Sequence, residues 1–258
     1  MNSRDHFKWA LLIGILVTGM VFCSSASSQE NMEQTDSFAA QWTELEPVEI
    51  PIPEGTDGQA ELTRNFYFIM DGSGSMNERT TGDCGGDQQF PDKMTGANWA
   101  IKKFLENVPD DVNIGLFVFD INGKREVVPL GRSNRDRFLK AVDNIEAGGG
   151  TPLALAIRYG TEKLVAQYRK QLGYGEFRLV AVTDGKADGI PEAALYAAKH
   201  GVPIYAIGLC VEENHPLRHY SVSYRAADNF ADLSKGLTDT LAELPNFDVT
   251  QFEDRQEE

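Results

Sequence analysis

Between residues 61 and 246, short unbroken apolar runs alternate with stretches in which apolar residues recur every three or four positions. The runs are Phe66–Met70, Ile114–Phe119, Leu179–Val182 and Val202–Leu209. Continuous rather than alternating hydrophobicity over so few residues predicts strands covered on both faces, as in a parallel sheet between helices. Glu126–Leu130 is weaker and is read as an antiparallel strand at the sheet edge. Ala97, Ile101, Phe104 and Val108 form one helical stripe, and Leu153, Ile157, Leu164 and Tyr168 form another. Further helices are expected at Arg135–Ile145, opened by Asn134, at Pro191–His200, opened by Gly189-Ile190-Pro191, and at Phe230–Leu244. The pattern predicts an α/β fold: one doubly wound domain over residues 61–246, its mostly parallel central sheet flanked by helices.

Outside these limits the periodicity fails. Arg4 and Lys8 precede an apolar run from Trp9 to Phe22, followed by the small residues Cys23-Ser24-Ser25-Ala26-Ser27-Ser28. This order of regions reads as a secretory signal peptide, residues 1–26, with cleavage after Ala26. The run is shorter than the roughly 20 apolar residues that span a bilayer, so no membrane span is expected in the mature chain. An uncleaved signal would leave residues 9–22 as an anchor. Phe22 occupies the position where a lipid-attachment signal at Cys23 needs a small residue. Residues 27–60 are polar, acidic and proline-containing, an arm or linker in which Val48–Ile52 alternates well enough to lie along a sheet edge. Residues 247–258 form an acidic tail.

Composition narrows the partners. Lys and Arg number 24 against 39 Asp and Glu, a net charge of −15, which repels nucleic acid and anionic lipid alike. A periplasmic or extracellular destination also bears on the cysteines, because Cys84 and Cys210 would form an even pair in an oxidising compartment. Two separate thiols, with Cys210 closing a buried strand, remain the alternative.

In open parallel sheets, ligands bind beyond the carboxyl ends of the strands. Asp71-Gly72-Ser73-Gly74-Ser75 follows the first run, Thr183-Asp184-Gly185 follows Leu179–Val182, and Gly148-Gly149-Gly150-Thr151-Pro152 opens a helix between them. Asp71, Ser73 and Ser75 bring one carboxylate and two hydroxyls onto a tight turn; Thr151 would add a hydroxyl and Asp184 a second carboxylate. Oxygen-only ligation selects a hard cation, Mg²⁺ first, with Mn²⁺ or Ca²⁺ also suited.

These motifs, in this order and at these strand ends, resemble the von Willebrand factor A domain with its metal-ion-dependent adhesion site, over roughly Asn65 to Leu244. The resemblance implies an exported bacterial module of that family. Asp71, Ser73, Ser75, Thr151 and Asp184 would hold a divalent cation, the aspartates often through water, and leave one position open for an Asp or Glu of a partner protein. Hydroxyl ligands bring no net charge, so such an ion still needs an anion.

Other chemistries fit less well. The glycine-rich turn lacks the Gly-Lys-Ser/Thr of a phosphate loop, and neither serine lies in Gly-x-Ser-x-Gly. A calcium loop beginning at Asp184 would put Lys186 and Leu195 at ligand positions. His215 and His219 are read as exposed histidines rather than zinc ligands. Asp83, Asp87 and Asp92 are read as a solvated loop rather than a second cation site. Without a recognisable nucleophile–base pair, a protein-binding adhesion or assembly module is the expectation, and the chain is read as no enzyme. A metal-dependent hydrolase, with Asp71 or Asp184 as base, and a structural subunit of an envelope complex are the alternatives.

Overall fold

A computed structural model describes residues 46–80, 90–185, 187–210, 215–227 and 229–241. The leader, the acidic tail, Cys84, Asp83, Asp87 and Lys186 lie outside the described residues. Six strands form one sheet: β1 (Arg64–Asp71), β2 (Asn113–Asp120), β3 (Gly123–Gly131), β4 (Glu176–Thr183), β5 (Ile204–Leu209) and β6 (Ser223–Ala227), in the order β3-β2-β1-β4-β5-β6. All neighbours run parallel except β2 and β3, which pair antiparallel.

Helices α1 (Lys93–Leu105), α2 (Arg135–Asp143), α3 (Leu153–Lys170), α4 (Ile190–Lys199), α5 (Leu217–Tyr220) and α6 (Phe230–Leu241) cover both faces. Successive residues of β1 point to opposite sides, as the two-residue period of a strand requires. Phe66, Phe68 and Met70 meet Ala97, Ile101 and Phe104 of α1, Phe138 and Val142 of α2, and Phe230 and Leu233 of α6. Tyr67 and Ile69 meet Leu153, Ile157 and Leu164 of α3, Ala193 and Ala197 of α4, and Leu217 of α5. Two apolar layers on one sheet explain why the central strands read as unbroken hydrophobic runs.

Four local expectations are corrected. Val48–Ile52 is no edge strand: the Val48 N–H donates to the Lys199 carbonyl at 2.8 Å, and Ile50 packs on the α3/α4 side of the core. The Asn134 side chain does not cap α2; its amide donates to the carbonyls of Ile114, Pro129 and Gly131. Val202 belongs to the turn after α4, bonded to Ala197, and β5 begins at Ile204. The strand β6, Ser-Tyr-Arg-Ala-Ala, was not foreseen because it lies at an edge and needs no apolar run.

The strand order has one functional consequence. From β1 the chain proceeds outward through β2 and β3, then returns to the other side of β1 for β4, β5 and β6. The winding therefore reverses between β1 and β4, and the loops leaving their carboxyl ends diverge around a crevice.

Candidate metal centre

Asp71 is the last residue of β1 and is fully buried. Its Oδ1 accepts the Ser73 N–H at 2.8 Å and its Oδ2 accepts the Thr183 hydroxyl at 2.6 Å, so the carboxylate ties the first turn to the end of β4. Burial raises its pKa above the ordinary carboxylate range; the bonds from Ser73 and Thr183 work against that, and the Asp184 charge adds to it.

Ser73 and Ser75 stand at the start of a single 3₁₀ turn, Gly74–Asn77. Their hydroxyls lie 3.0 Å apart, and Ser75 Oγ donates to Asp184 Oδ1 at 2.7 Å. The glycine-rich loop before α3 is stitched onto this turn: Gly148 N–H donates to the Gly72 carbonyl at 2.8 Å, and Gly74 N–H to the Gly149 carbonyl at 3.1 Å. Gly149 has φ of +79°, a left-handed conformation that a side chain resists. That loop delivers Thr151, whose Oγ1 would lie 3.6 Å from a methyl built on Gly185, while Asp71 Oδ2 would lie 3.9 Å from the same point. The structure thus gathers all five sequence-predicted residues, from three loops, in the crevice between β1 and β4.

Sequence reasoning missed three supporting groups. Thr183 was part of the Thr-Asp-Gly motif but was given no role; it orients Asp71. Lys93, at the start of α1, donates to Asp184 Oδ2 and to Glu78 Oε2, each at 2.9 Å. Burial works to lower the Lys93 pKa, yet its bonds to Glu78 and Asp184 outweigh that and raise it. A lysine at the first position of a helix opposes the helix dipole, and that anomaly was the available signal. His215 is fully buried, which corrects the expectation of an exposed histidine. Its Nδ1 accepts the Leu217 N–H at 3.1 Å, so the proton resides on Nε2, which donates to the Gly185 carbonyl at 2.8 Å. It braces the Asp184 loop from behind, whereas His219 is exposed.

The donor chemistry fits a hard divalent cation. Two carboxylates and three hydroxyls converge, and both carboxylate side chains are buried. Among those residues no cluster of three His, Cys, Asp or Glu side chains is placed to hold a metal, so hydroxyl oxygens would have to contribute. Asp92, considered with Asp83 and Asp87, instead caps α1: its Oδ1 accepts the Thr95 N–H at 2.7 Å and the Thr95 hydroxyl at 2.8 Å. Cys210 is disulfide-bonded, and the other two cysteines lie outside the described residues. An apolar groove of about 350 Å³, bordered by Val48, Ile50, Leu164, Phe177 and Lys199, lies at the opposite end of the sheet and contains none of these groups.

This geometry can be set beside known proteins. A family model for the von Willebrand factor type A domain matches residues 65–253, and the chain belongs to that family. The 67 kDa subunit of magnesium chelatase from Chlorobaculum tepidum is 32% identical over 135 residues, covering 51% of this chain and 18% of that protein. The chain thus spans less than a fifth of that relative. Among solved structures, the D319A mutant of the PilB minor pilin from Streptococcus sanguinis aligns with a TM-score of 0.54 at 14% identity, covering 70% of this chain and 61% of its own. A manganese-loaded TRAP protein from Plasmodium vivax aligns with a TM-score of 0.50 at 15% identity, covering 71% and 75%. At these identities the two structures speak for the shared fold.

Proposed function

We propose that the chain is an exported, metal-dependent protein-binding module that captures an acidic residue of a partner. The observation that carries this reading is the convergence of Asp71, Ser73, Ser75, Thr151 and Asp184 where the sheet's winding reverses. These residues would hold Mg²⁺ or a similar hard cation, the supply of which adds a Lewis-acidic centre able to accept a carboxylate from outside. The protein's part is positional: Thr183 and the Ser73 N–H hold Asp71, Ser75 holds Asp184, and the Gly148–Gly150 loop presents Thr151.

A pilin and a manganese-loaded protein among the structural neighbours are in keeping with a binding role and with a divalent ion. Binding rather than hydrolysis is also favoured by the surroundings of the oxygens. The titratable side chain bonded to Asp184 is Lys93, whose pKa is raised by its bonds to Glu78 and Asp184 and which is therefore a poor proton acceptor. Export to the periplasm or the cell exterior rests on the N-terminal order of basic, apolar and small residues. Among the described residues no helix is long and apolar enough to cross a membrane.

The test is calorimetric titration of residues 27–258 with Mg²⁺ and Mn²⁺, beside Asp71→Ala and Ser73→Ala/Ser75→Ala. Saturable binding is expected in the parent, with loss of at least tenfold in affinity in each variant, on the order of one lost ligand interaction. Equal binding in parent and variants would sink the reading.

A further inference from the structure

Lys93 brings a positive charge to a place built for a cation. Its Nζ lies 2.9 Å from Asp184 Oδ2, its side chain is 12% exposed, and that of Asp184 is 0% exposed. Local forces oppose this placement. The residue is the first of α1, whose N-terminus is the positive end of the helix dipole, and the acidic residue at that end, Asp92, is engaged with the N–H and hydroxyl of Thr95 rather than with Lys93. Removing an ammonium from water is unfavourable as well. The residue is nonetheless held at both ends, because its N–H donates to the Glu78 carbonyl at 3.1 Å while its Nζ bonds Glu78 and Asp184. A long side chain so constrained is part of the site.

We infer that Lys93 is a positioning residue that weakens the site's hold on its divalent cation and strengthens the loaded site's hold on an acidic ligand, an inference that rests on the metal-dependent reading above. Asp71 and Asp184 together would neutralise a divalent ion and leave an incoming carboxylate little electrostatic reason to bind. Lys93 takes up one Asp184 oxygen and returns one positive charge to a largely buried centre. The Glu78 side chain is 65% exposed, so water and salt screen its opposing charge more effectively. The metal-loaded site therefore stays cationic until a carboxylate arrives. By linkage, an acidic ligand then tightens the metal as much as the metal tightens the ligand.

The experiment uses Mn²⁺ and glutarate as probes on residues 27–258. Mn²⁺ affinity is measured by calorimetry, and glutarate affinity by the fall in water-proton relaxation as it displaces water from bound Mn²⁺. Lys93→Gln is expected to bind Mn²⁺ on the order of tenfold tighter and glutarate on the order of tenfold weaker, and Lys93→Arg is expected to restore both. Glu78→Gln, a change at an exposed side chain, is expected to shift both affinities the other way by about twofold, and provides the test should Lys93→Gln not fold. Opposed shifts are the signature, since a merely structural loss would weaken both. Unchanged Mn²⁺ affinity in the Lys93 variant, or two shifts of the same sign, would overturn the role of Lys93 while Asp71→Ala still abolished binding. If Asp71→Ala bound Mn²⁺ as the parent does, the metal reading itself would fall, and the inference with it.

Discussion

Tyr224 shows how a single side chain connects stability to the site. Its ring stacks on His215 with 5.8 Å between centroids and 14° between planes, and His215 in turn holds the Gly185 carbonyl beside Asp184. The Tyr224 hydroxyl is buried with no hydrogen-bond partner among the described residues. Burial pushes its pKa up to about 12, with the Arg218 charge working against that. A phenol whose folded pKa is raised contributes stability that is complete below its unfolded value near 10 and is lost as pH rises through about 12. Tyr224→Phe keeps the stack and removes the stranded hydroxyl. It is expected to gain about 1 kcal/mol at neutral pH and to escape about 1–2 kcal/mol of the alkaline loss between pH 10 and 12, after allowance for the ring's partial exposure. Urea melts at pH 7, 10 and 12 measure both effects. No sequence pattern announced this residue, because the stranded hydroxyl is a property of neighbours brought together from separate elements. The oxygen-bearing residues could be picked out for the opposite reason: Asp71, Ser73, Ser75 and Asp184 sit in short motifs at the ends of strands that apolar runs had located, and Thr151 in a glycine-rich loop that opens a helix.

The elements follow a similar division. The central strands and the long helices were visible because burial on two faces or one stripe writes a period into the chain. Ser223–Ala227 was invisible because an edge strand is only half enclosed, and Val48–Ile52 misled because alternation there serves packing against helices rather than a ladder. Packing between α1 and α6 is set by a residue with no side chain. A methyl on Gly96 would lie 2.2 Å from the Phe230 ring, a rigid neighbour that cannot give way cheaply. Alanine in an open helix position is worth about 1 kcal/mol over glycine, but here overpacking is expected to prevail, so Gly96→Ala should lower stability by about 1–3 kcal/mol. The change lies three residues beyond Lys93 on the same helix. Thermal unfolding of the variant without metal isolates the packing effect, and a gain in melting temperature would show that α6 shifts freely.

For the whole molecule, the strand order fixes when the site can exist. Ser75 and Asp184 are bonded across 109 positions of chain, and Thr183 reaches Asp71 across 112. No local segment contains the full set of oxygens, and closing loops of that length carries an entropy that only the docking of β4 beside β1 repays. Divalent ions should therefore have little purchase on the unfolded chain and act on the native state alone. At a cation concentration one hundred times its dissociation constant, the expected gain is about 2.7 kcal/mol. If β4 docks late, that gain belongs to the unfolding arm: stopped-flow measurements should show refolding rates insensitive to Mg²⁺ and unfolding slowed by about a hundredfold. Acceleration of refolding by Mg²⁺ would instead place the β1–β4 crevice in the folding nucleus. A centre assembled from such distant stretches is expected, where β4 docks late, to act as a late clasp that lengthens the life of a fold already made rather than guiding the chain to it.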